Sequence, residues 1–534
     1  MAEKQLPLSI SSFEALRARG NKIYVDKTSL VADLAEVDQA QWFLSRPRRF
    51  GKTLLVSTFE SLFRHGLRDF SGLAIEKRWH DRIYPVIRLD FSVCKDFSTL
   101  PEFESAAADM FDAAFAAAGL KLEEGQSFEA NPFGVFCRYL AVQSAVSLVL
   151  LIDEYDAPLS SHLDEPELFS AVRKKLSSFY SKIKSYSGCL RFLFVTGILR
   201  FRQASVFSTL NTLTDISLEP AYGTLLGYTR EEIEACFGDY LDHAAAVCGI
   251  ARCEVVHGLA RHYDGFCFDQ KARTHVFSPW SVLNFLRAPE NGFQNYWYES
   301  AGTSSLLMKY LQKHSLQRPE EYAVEQTVSV DKLKDVVSPE TMSDVVLLAQ
   351  TGYLTIKSVE DSVAVLGYPN EEVKSSMARL YSSRLLGDRT PVEVAGRIGE
   401  KLAAGSVDEV MASFNALFAR ADYQQYPIES EALCRICLQF FLDGAGLSPQ
   451  VEVHSFRGRS DLEVSVQNRQ WVFELKFSRR GENAEKMLGE ALRQMRLRDY
   501  GRGSAKGREL MRVAAVFSED QRQFACWQKL PASA

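Results

Sequence analysis

Arg46-Pro47-Arg48-Arg49-Phe50-Gly51-Lys52-Thr53 is the stretch on which the reading of the chain turns. The apolar segment Gln41-Trp42-Phe43-Leu44 runs into it, and an apolar helical pattern beginning Leu54-Leu55-Val56 leaves it. Strand, turn, Gly-Lys-Thr and helix together build a phosphate-binding loop, because successive backbone N–H groups and a helix N-terminus face the anion. Lys52 would reach the outer phosphates of ATP, and the Thr53 hydroxyl would ligate Mg²⁺. Arg49, Phe50 and Gly51 complete the cradle. The loop departs from the usual pattern at Arg46, where a glycine is expected. A Gly-Lys-Thr triplet can also open an ordinary helix with its lysine in water, so a second site is needed.

That second site is Leu148-Val149-Leu150-Leu151-Ile152-Asp153-Glu154. Five consecutive apolar residues make a strand buried on both faces, and two carboxylates emerge at its C-terminal end, where ligands bind in an open α/β sheet. Asp153 would hold Mg²⁺, and Glu154 would polarise the attacking water. A further buried strand, Leu190 to Gly197, ends in Thr196, placed to orient the γ-phosphate, with Arg200 just beyond; a salt bridge is the competing reading for Arg200. Tyr84 to Phe91 is another buried strand, and residues 101–120, rich in alanine and phenylalanine, form a helix. This alternation predicts a parallel α/β sheet.

At 534 residues the chain exceeds what one core usually serves. A 46% apolar and 24% charged composition is that of an ordinary soluble globular protein. No apolar run reaches the ~18 residues a membrane span needs, and the N-terminus leads into no signal-peptide core, so a cytoplasmic protein with no membrane partner is expected. Ten scattered cysteines suit reduced thiols, and Cys434-x-x-Cys437 lies in a helical pattern without a second pair, which favours packing over zinc. Net charge is −6, which does not advertise a nucleic-acid binder, yet from His454 onward 16 Lys and Arg face 10 Asp and Glu, a local +6. The C-terminal part could meet a polyanion, or simply present a solvated basic face. No internal repeat or low-complexity tract occurs.

Arg46-Pro-Arg-Arg-Phe-Gly-Lys-Thr, Tyr24-Val-Asp-Lys-Thr, Leu151-Ile-Asp-Glu-Tyr-Asp-Ala-Pro, Thr196-Gly-Ile-Leu-Arg-Phe, Tyr263-Asp-Gly-Phe-Cys-Phe and Gln350-Thr-Gly-Tyr-Leu-Thr-Ile together resemble prokaryotic AAA-ATPase-like proteins. Those proteins typically end in a PD-(D/E)XK nuclease-like domain. The resemblance implies an AAA-like P-loop ATPase domain over 1–225, a helical lid over 226–330 and a last nuclease-like α/β domain of restriction-endonuclease type; the residue pattern reads as a helical and hairpin linker over 331–400, and the Lys401 to Asp408 stretch sets the start of the last domain, 401–534. In that family Arg46 belongs where the glycine is missing. It also suggests rings, hence a possible homo-oligomer; Arg48, Arg49, Arg200 and Arg202 are candidates for an arginine finger. The aromatic residues of the lid, Trp280 and Trp297 among them, read as core.

In the last domain, Asp461-Leu-Glu-Val-Ser-Val, the turn Gln467-Asn-Arg-Gln and Trp471-Val-Phe-Glu-Leu-Lys-Phe predict an antiparallel hairpin whose four polar residues form the turn. Residues two apart on a strand share a face, so Glu474 and Lys476 point the same way, and Asp461 can approach from the partner strand. Two carboxylates beside a lysine suit a Mg²⁺ site for phosphodiester hydrolysis: Asp461 and Glu474 hold the metal and Lys476 positions the water. A buried Glu–Lys ion pair without metal is the competing structure. The resemblance covers this block; it adds Glu431 as an extra carboxylate and places Gln494 near the site. Arg493, Arg496 and Arg498, with the Gly501-Arg-Gly-Ser loop, could contact phosphates. The expectation is therefore an ATP-hydrolysing protein joined to a metal-dependent nuclease acting on DNA, with RNA still open. An ATP-switched interaction protein carrying an inactive nuclease fold is the alternative.

Overall fold

The computed structural model describes residues 4–201, 213–299, 307, 322, 326–334, 343–385, 397–419, 428–445, 447, 449–455, 458–501, 505 and 507–531. Two compact units divide the chain, Met1–Ser376 and Met377–Ala534.

In the first unit, β1 (Ala40–Ser45), β2 (Val86–Asp90), β3 (Leu148–Asp153), β4 (Leu190–Gly197) and β5 (Thr214–Asp215) form one sheet in the order β2-β3-β4-β1-β5, and every pairing is parallel. The α/β fold class read from the sequence holds, with a sheet of P-loop, AAA-like type. All residues of β3 and β4 are buried, as strands covered on both faces must be. The helix Lys52–His65 lies on the sheet, with Phe59 against Phe192 and Phe194 at 4.9 Å each. Because the strands are parallel, the ends of β1, β2, β3 and β4 share one edge. The phosphate loop, Asp90, Asp153 and Thr196 are thereby gathered from across 150 residues of sequence.

Four helices, Arg230–Cys236, Gly238–Cys248, Arg252–Tyr263 and Pro279–Arg287, follow the sheet. Their core, including Phe237, Leu241, Leu259, Tyr263 and Phe285, takes in Ile23 and Val25 from the start of the chain. Trp297 is buried too, so the aromatic residues of this region serve packing, whereas Trp280 is half-buried. Next, the helix Asp344–Thr351 leads into a small antiparallel sheet ordered β6-β8-β7, from β6 (Gln326–Ser329), β7 (Thr355–Glu360) and β8 (Val363–Gly367).

The second unit carries β9 (Gln450–Ser455), β10 (Gly458–Val466), β11 (Arg469–Ser478), β12 (Glu509–Ser518) and β13 (Gln523–Lys529) in the order β13-β12-β11-β10-β9. All pairs are antiparallel except β11 with β12, which the helix Ala484–Arg498 connects. That helix packs Ala491 and Met495 on Val472 and Ala514. The hairpin turn is tighter than expected. Arg469 pairs with Val466 and Gln470 with Ser465, leaving only Gln467 and Asn468 in the turn. Gln467 reaches this by adopting φ +50°, a left-handed conformation that composition alone does not announce. Cys434 and Cys437 are both buried in the helix Glu431–Gly444, and all ten cysteines are free thiols. Among the described residues no helix is long and apolar enough to cross a membrane.

Candidate functional site

The sheet edge opens into a cleft of about 1030 Å³, bordered by Arg48 to Leu55, Lys95, Glu154, His162 and Trp280 among others. Gly51 takes φ +94° as N-cap of the helix Lys52–His65, without a side-chain cap and with no acidic residue in the first turn. The first turn of the helix therefore turns backbone N–H groups to the cleft and carries no acidic side chain of its own. Lys52 is buried, and its Nζ donates to the carbonyls of Arg46 and Pro47 at 3.1 Å each. Burial pushes its pKa down, against the pull of Glu154 and Asp153. Thr53 is half-buried at the cleft wall.

Asp153 is fully buried at the end of β3. Its Oδ1 accepts the Glu154 N–H at 3.1 Å, whereas Oδ2 has no hydrogen-bond partner and faces Arg88 Nη2 at 3.5 Å. Burial and then Asp90 push its carboxyl up to about 6, opposed by Arg88 and Lys52. A buried carboxylate oxygen without a donor, beside a basic loop, suits a divalent cation. Glu154 stands half-buried on the cleft wall with φ +47°, a strained conformation for a residue with a side chain. Asp156, whose role the sequence reading passed over although it lies in the quoted motif, accepts the N–H groups of Ile198 and Leu199 at 3.0 and 2.8 Å. It thereby ties the end of β4 to the acidic turn.

Three expected cofactor contacts are arranged differently. Thr196 is fully buried and its hydroxyl donates to Leu44 O at 2.7 Å, inside the sheet and away from the cleft wall. Arg200 is also buried, with Nε on Ser45 Oγ at 2.9 Å and Nη1 on Leu333 O at 3.3 Å. Phe50 borders the cleft, but its ring is sunk edge-on among Phe266, Phe268 and Trp297. Arg49 stays at the opening, its guanidinium 4.2 Å from the centroid of Trp280. Arg202 lies outside the described residues.

The second candidate site lies on the β10–β11 hairpin. Leu462 pairs with Phe473, so Asp461 comes opposite Glu474. Asp461 Oδ2 accepts the Leu475 N–H at 2.8 Å and its Oδ1 lies 3.9 Å from Arg435 Nη1. Glu474 is 1% exposed; Oε1 receives Lys476 Nζ at 2.9 Å, and Oε2 is buried without a hydrogen-bond partner. Lys476 Nζ also donates to Leu475 O at 2.9 Å and lies 3.5 Å from Glu431. Burial, then Asp461, pushes the Glu474 carboxyl up to about 7, against the pull of Lys476. Lys476 itself is raised by Glu474 and Glu431, which outweigh its burial.

Three carboxylates, Glu431, Asp461 and Glu474, and two cations, Arg435 and Lys476, thus cluster beside the hairpin. Arg435 was missed by sequence reasoning, although it stands one helical turn after Glu431. Among the described residues no group of three or more His, Cys, Asp or Glu is close enough to hold a metal as arranged. The orphaned Glu474 Oε2 beside Asp461 nevertheless fits one cation. Gln494 donates to Tyr500 Oη at 3.1 Å, while Arg493, Arg496 and Arg498 are exposed along the helix. Residues 502–504 and Arg457 lie outside the described residues.

Two family models match the chain: one described as a predicted AAA-ATPase over residues 7–207, and one as the PD-(D/E)XK nuclease superfamily over residues 429–527. Each contains one of the two carboxylate sites. The chain is 30% identical over 535 residues to an uncharacterized protein in the vnfD 5′ region of Azotobacter chroococcum mcd 1, covering 98% of both. A solved structure of Drosophila ORC bound to GC-rich DNA and Cdc6 matches at 14% identity and a TM-score of 0.23, covering 77% of this chain and 62% of that one.

Proposed function

The chain belongs to one family with the Azotobacter protein and joins a predicted AAA-ATPase domain to a PD-(D/E)XK nuclease superfamily domain; from that premise we propose an ATP hydrolase that controls a metal-dependent nuclease site acting on DNA. The observation that carries the first half is the pairing of Asp153, buried with an oxygen that no donor satisfies, with a bare helix N-terminus on the same sheet edge.

The N–H groups of Gly51 to Thr53 would take the outer phosphates of ATP, and Lys52 would exchange its two loop carbonyls for phosphate oxygens. Thr53 and Asp153 would hold Mg²⁺, and Glu154 would orient and deprotonate the attacking water. On the hairpin, Asp461 and Glu474 would hold a divalent cation and Lys476 would position water at the phosphodiester. At both sites a bound cation would supply charge neutralisation and an acidified water. Excess positive charge after His454 supports DNA as the polyanion.

Turnover tests the first site. Glu154→Gln is expected to retain ATP and lower hydrolysis by about 100-fold or more, and hydrolysis at the wild-type rate would remove Glu154 from the mechanism. Plasmid nicking with Mg²⁺ or Mn²⁺ tests the second, where Asp461→Ala should abolish cleavage. A second reading, an ATP-operated switch with a silent nuclease fold, is favoured by the internal neutralisation of the hairpin site, where Lys476 joins Glu474 to Glu431 and Arg435 faces Asp461. Absence of nicking on DNA and RNA, with ATP binding intact, would select it.

A further inference from the structure

Gln350-Thr351-Gly352-Tyr353-Leu354 serves neither site directly, yet it packs against the rear of the phosphate loop. Gly352 closes the helix Asp344–Thr351 in the left-handed conformation, φ +85°. A Cβ built there would stand 2.8 Å from Pro47 Cγ and 2.9 Å from Trp297 Cζ2, so the loop's second residue rests on bare backbone. Gln350, 7% exposed, accepts the Arg200 N–H at 2.9 Å and donates to Leu333 O at 3.2 Å. Arg200 reaches that same carbonyl and Ser45 Oγ, one residue ahead of the loop. Hydrogen bonds therefore run from Leu333 through Gln350 and Arg200 to Ser45.

The other rearward contacts are of the same kind. Arg46, 1% exposed, donates to Ser217 O at 2.6 Å and Tyr222 O at 3.1 Å beneath the Phe268 ring, and Phe50 fills the aromatic cluster that Trp297 shares with Tyr353. The residues so gripped, Arg46 and Pro47, are the two whose carbonyls Lys52 uses. A shift of Pro47 would displace the acceptor of the lysine and the amides beside it.

We propose that Gln350 and Gly352 are positioning residues of the nucleotide site, which set the phosphate loop from behind and tie the β6-β8-β7 sheet to its occupancy. The inference rests on the reading of that loop as an ATP site. Equilibrium binding of a fluorescent ATP analogue with Mg²⁺ to the full chain tests it, together with backbone hydrogen exchange.

Gln350→Leu and Gly352→Ala should each weaken binding by about tenfold or more, whereas Gln350→Glu, which keeps the acceptor for the Arg200 N–H and loses only the donor to Leu333 O, a carbonyl that Arg200 Nη1 also serves, should stay within about threefold. The melting temperature of nucleotide-free Gln350→Leu should remain close to that of Gln350→Glu, which a merely structural role would not produce. ATP should slow exchange in Thr355–Gly367 of the wild type and leave it unchanged in Gln350→Leu. Wild-type affinity in Gln350→Leu, or equal losses in the Leu and Glu variants that track unfolding, would overturn the inference while the ATP site stands. A folded wild type that binds no more analogue than Lys52→Ala would overturn the ATP site and the inference together.

Discussion

Arg46 stands where a phosphate loop ordinarily keeps glycine, and its surroundings give the substitution a physical reason. Its guanidinium is buried, pushed down to about 9 chiefly by desolvation and also by Arg200, and it supplies donors to carbonyls of the segment after β5. Arg46→Gly, which restores the usual loop residue, should therefore destabilise the first unit by about 3 kcal/mol or more, read by denaturant unfolding; a neutral result would show that those carbonyls find other donors. Glu474 gives a pH prediction. Its native carboxyl is raised from 4.5 to about 7, so between those values the native state binds more protons than the unfolded chain, and stability falls as pH rises. Relative to wild type, Glu474→Gln should gain stability from pH 5 to pH 8 in the unfolding of the second unit. A constant difference across that range would remove the burial argument.

Elements show the same economy of backbone geometry. The β10–β11 turn is closed by Gln467 at φ +50°, where only glycine is free of steric strain. Gln467→Gly should stabilise the second unit by about 0.5–1 kcal/mol, seen as a higher denaturation midpoint with an unchanged slope; destabilisation would mean that the glutamine side chain contributes to the turn. Strand periodicity alone could not find this turn. Arg469 and Gln470 are polar, yet they pair with Val466 and Ser465, and Gln470 is buried where it donates to Glu463. By contrast β3 and β4 were readable, because runs such as Leu148 to Ile152 have no stable place except a strand covered on both faces.

For the whole molecule, the proposed control of one site by the other predicts that Mg²⁺-dependent nicking responds to ATP and that Lys52→Ala removes the response; nicking indifferent to both would dissolve the link between the two units. The sequence by itself determined the sheet class, the acidic turn Asp153-Glu154, the Gly51-Lys52-Thr53 loop and the Asp461, Glu474 and Lys476 hairpin, since each rests on local patterns: apolar runs, a glycine turn, charges interrupting a strand. Only the tertiary structure decided which side chains face the cleft. Thr196 and Arg200 sit where a linear reading puts phosphate contacts, but the parallel neighbour β1 takes the Thr196 hydroxyl and Leu333, more than 130 residues away, takes the Arg200 guanidinium. Side-chain direction at a strand end depends on which buried acceptors need a donor, and those acceptors come from distant segments that spacing along the chain does not reveal.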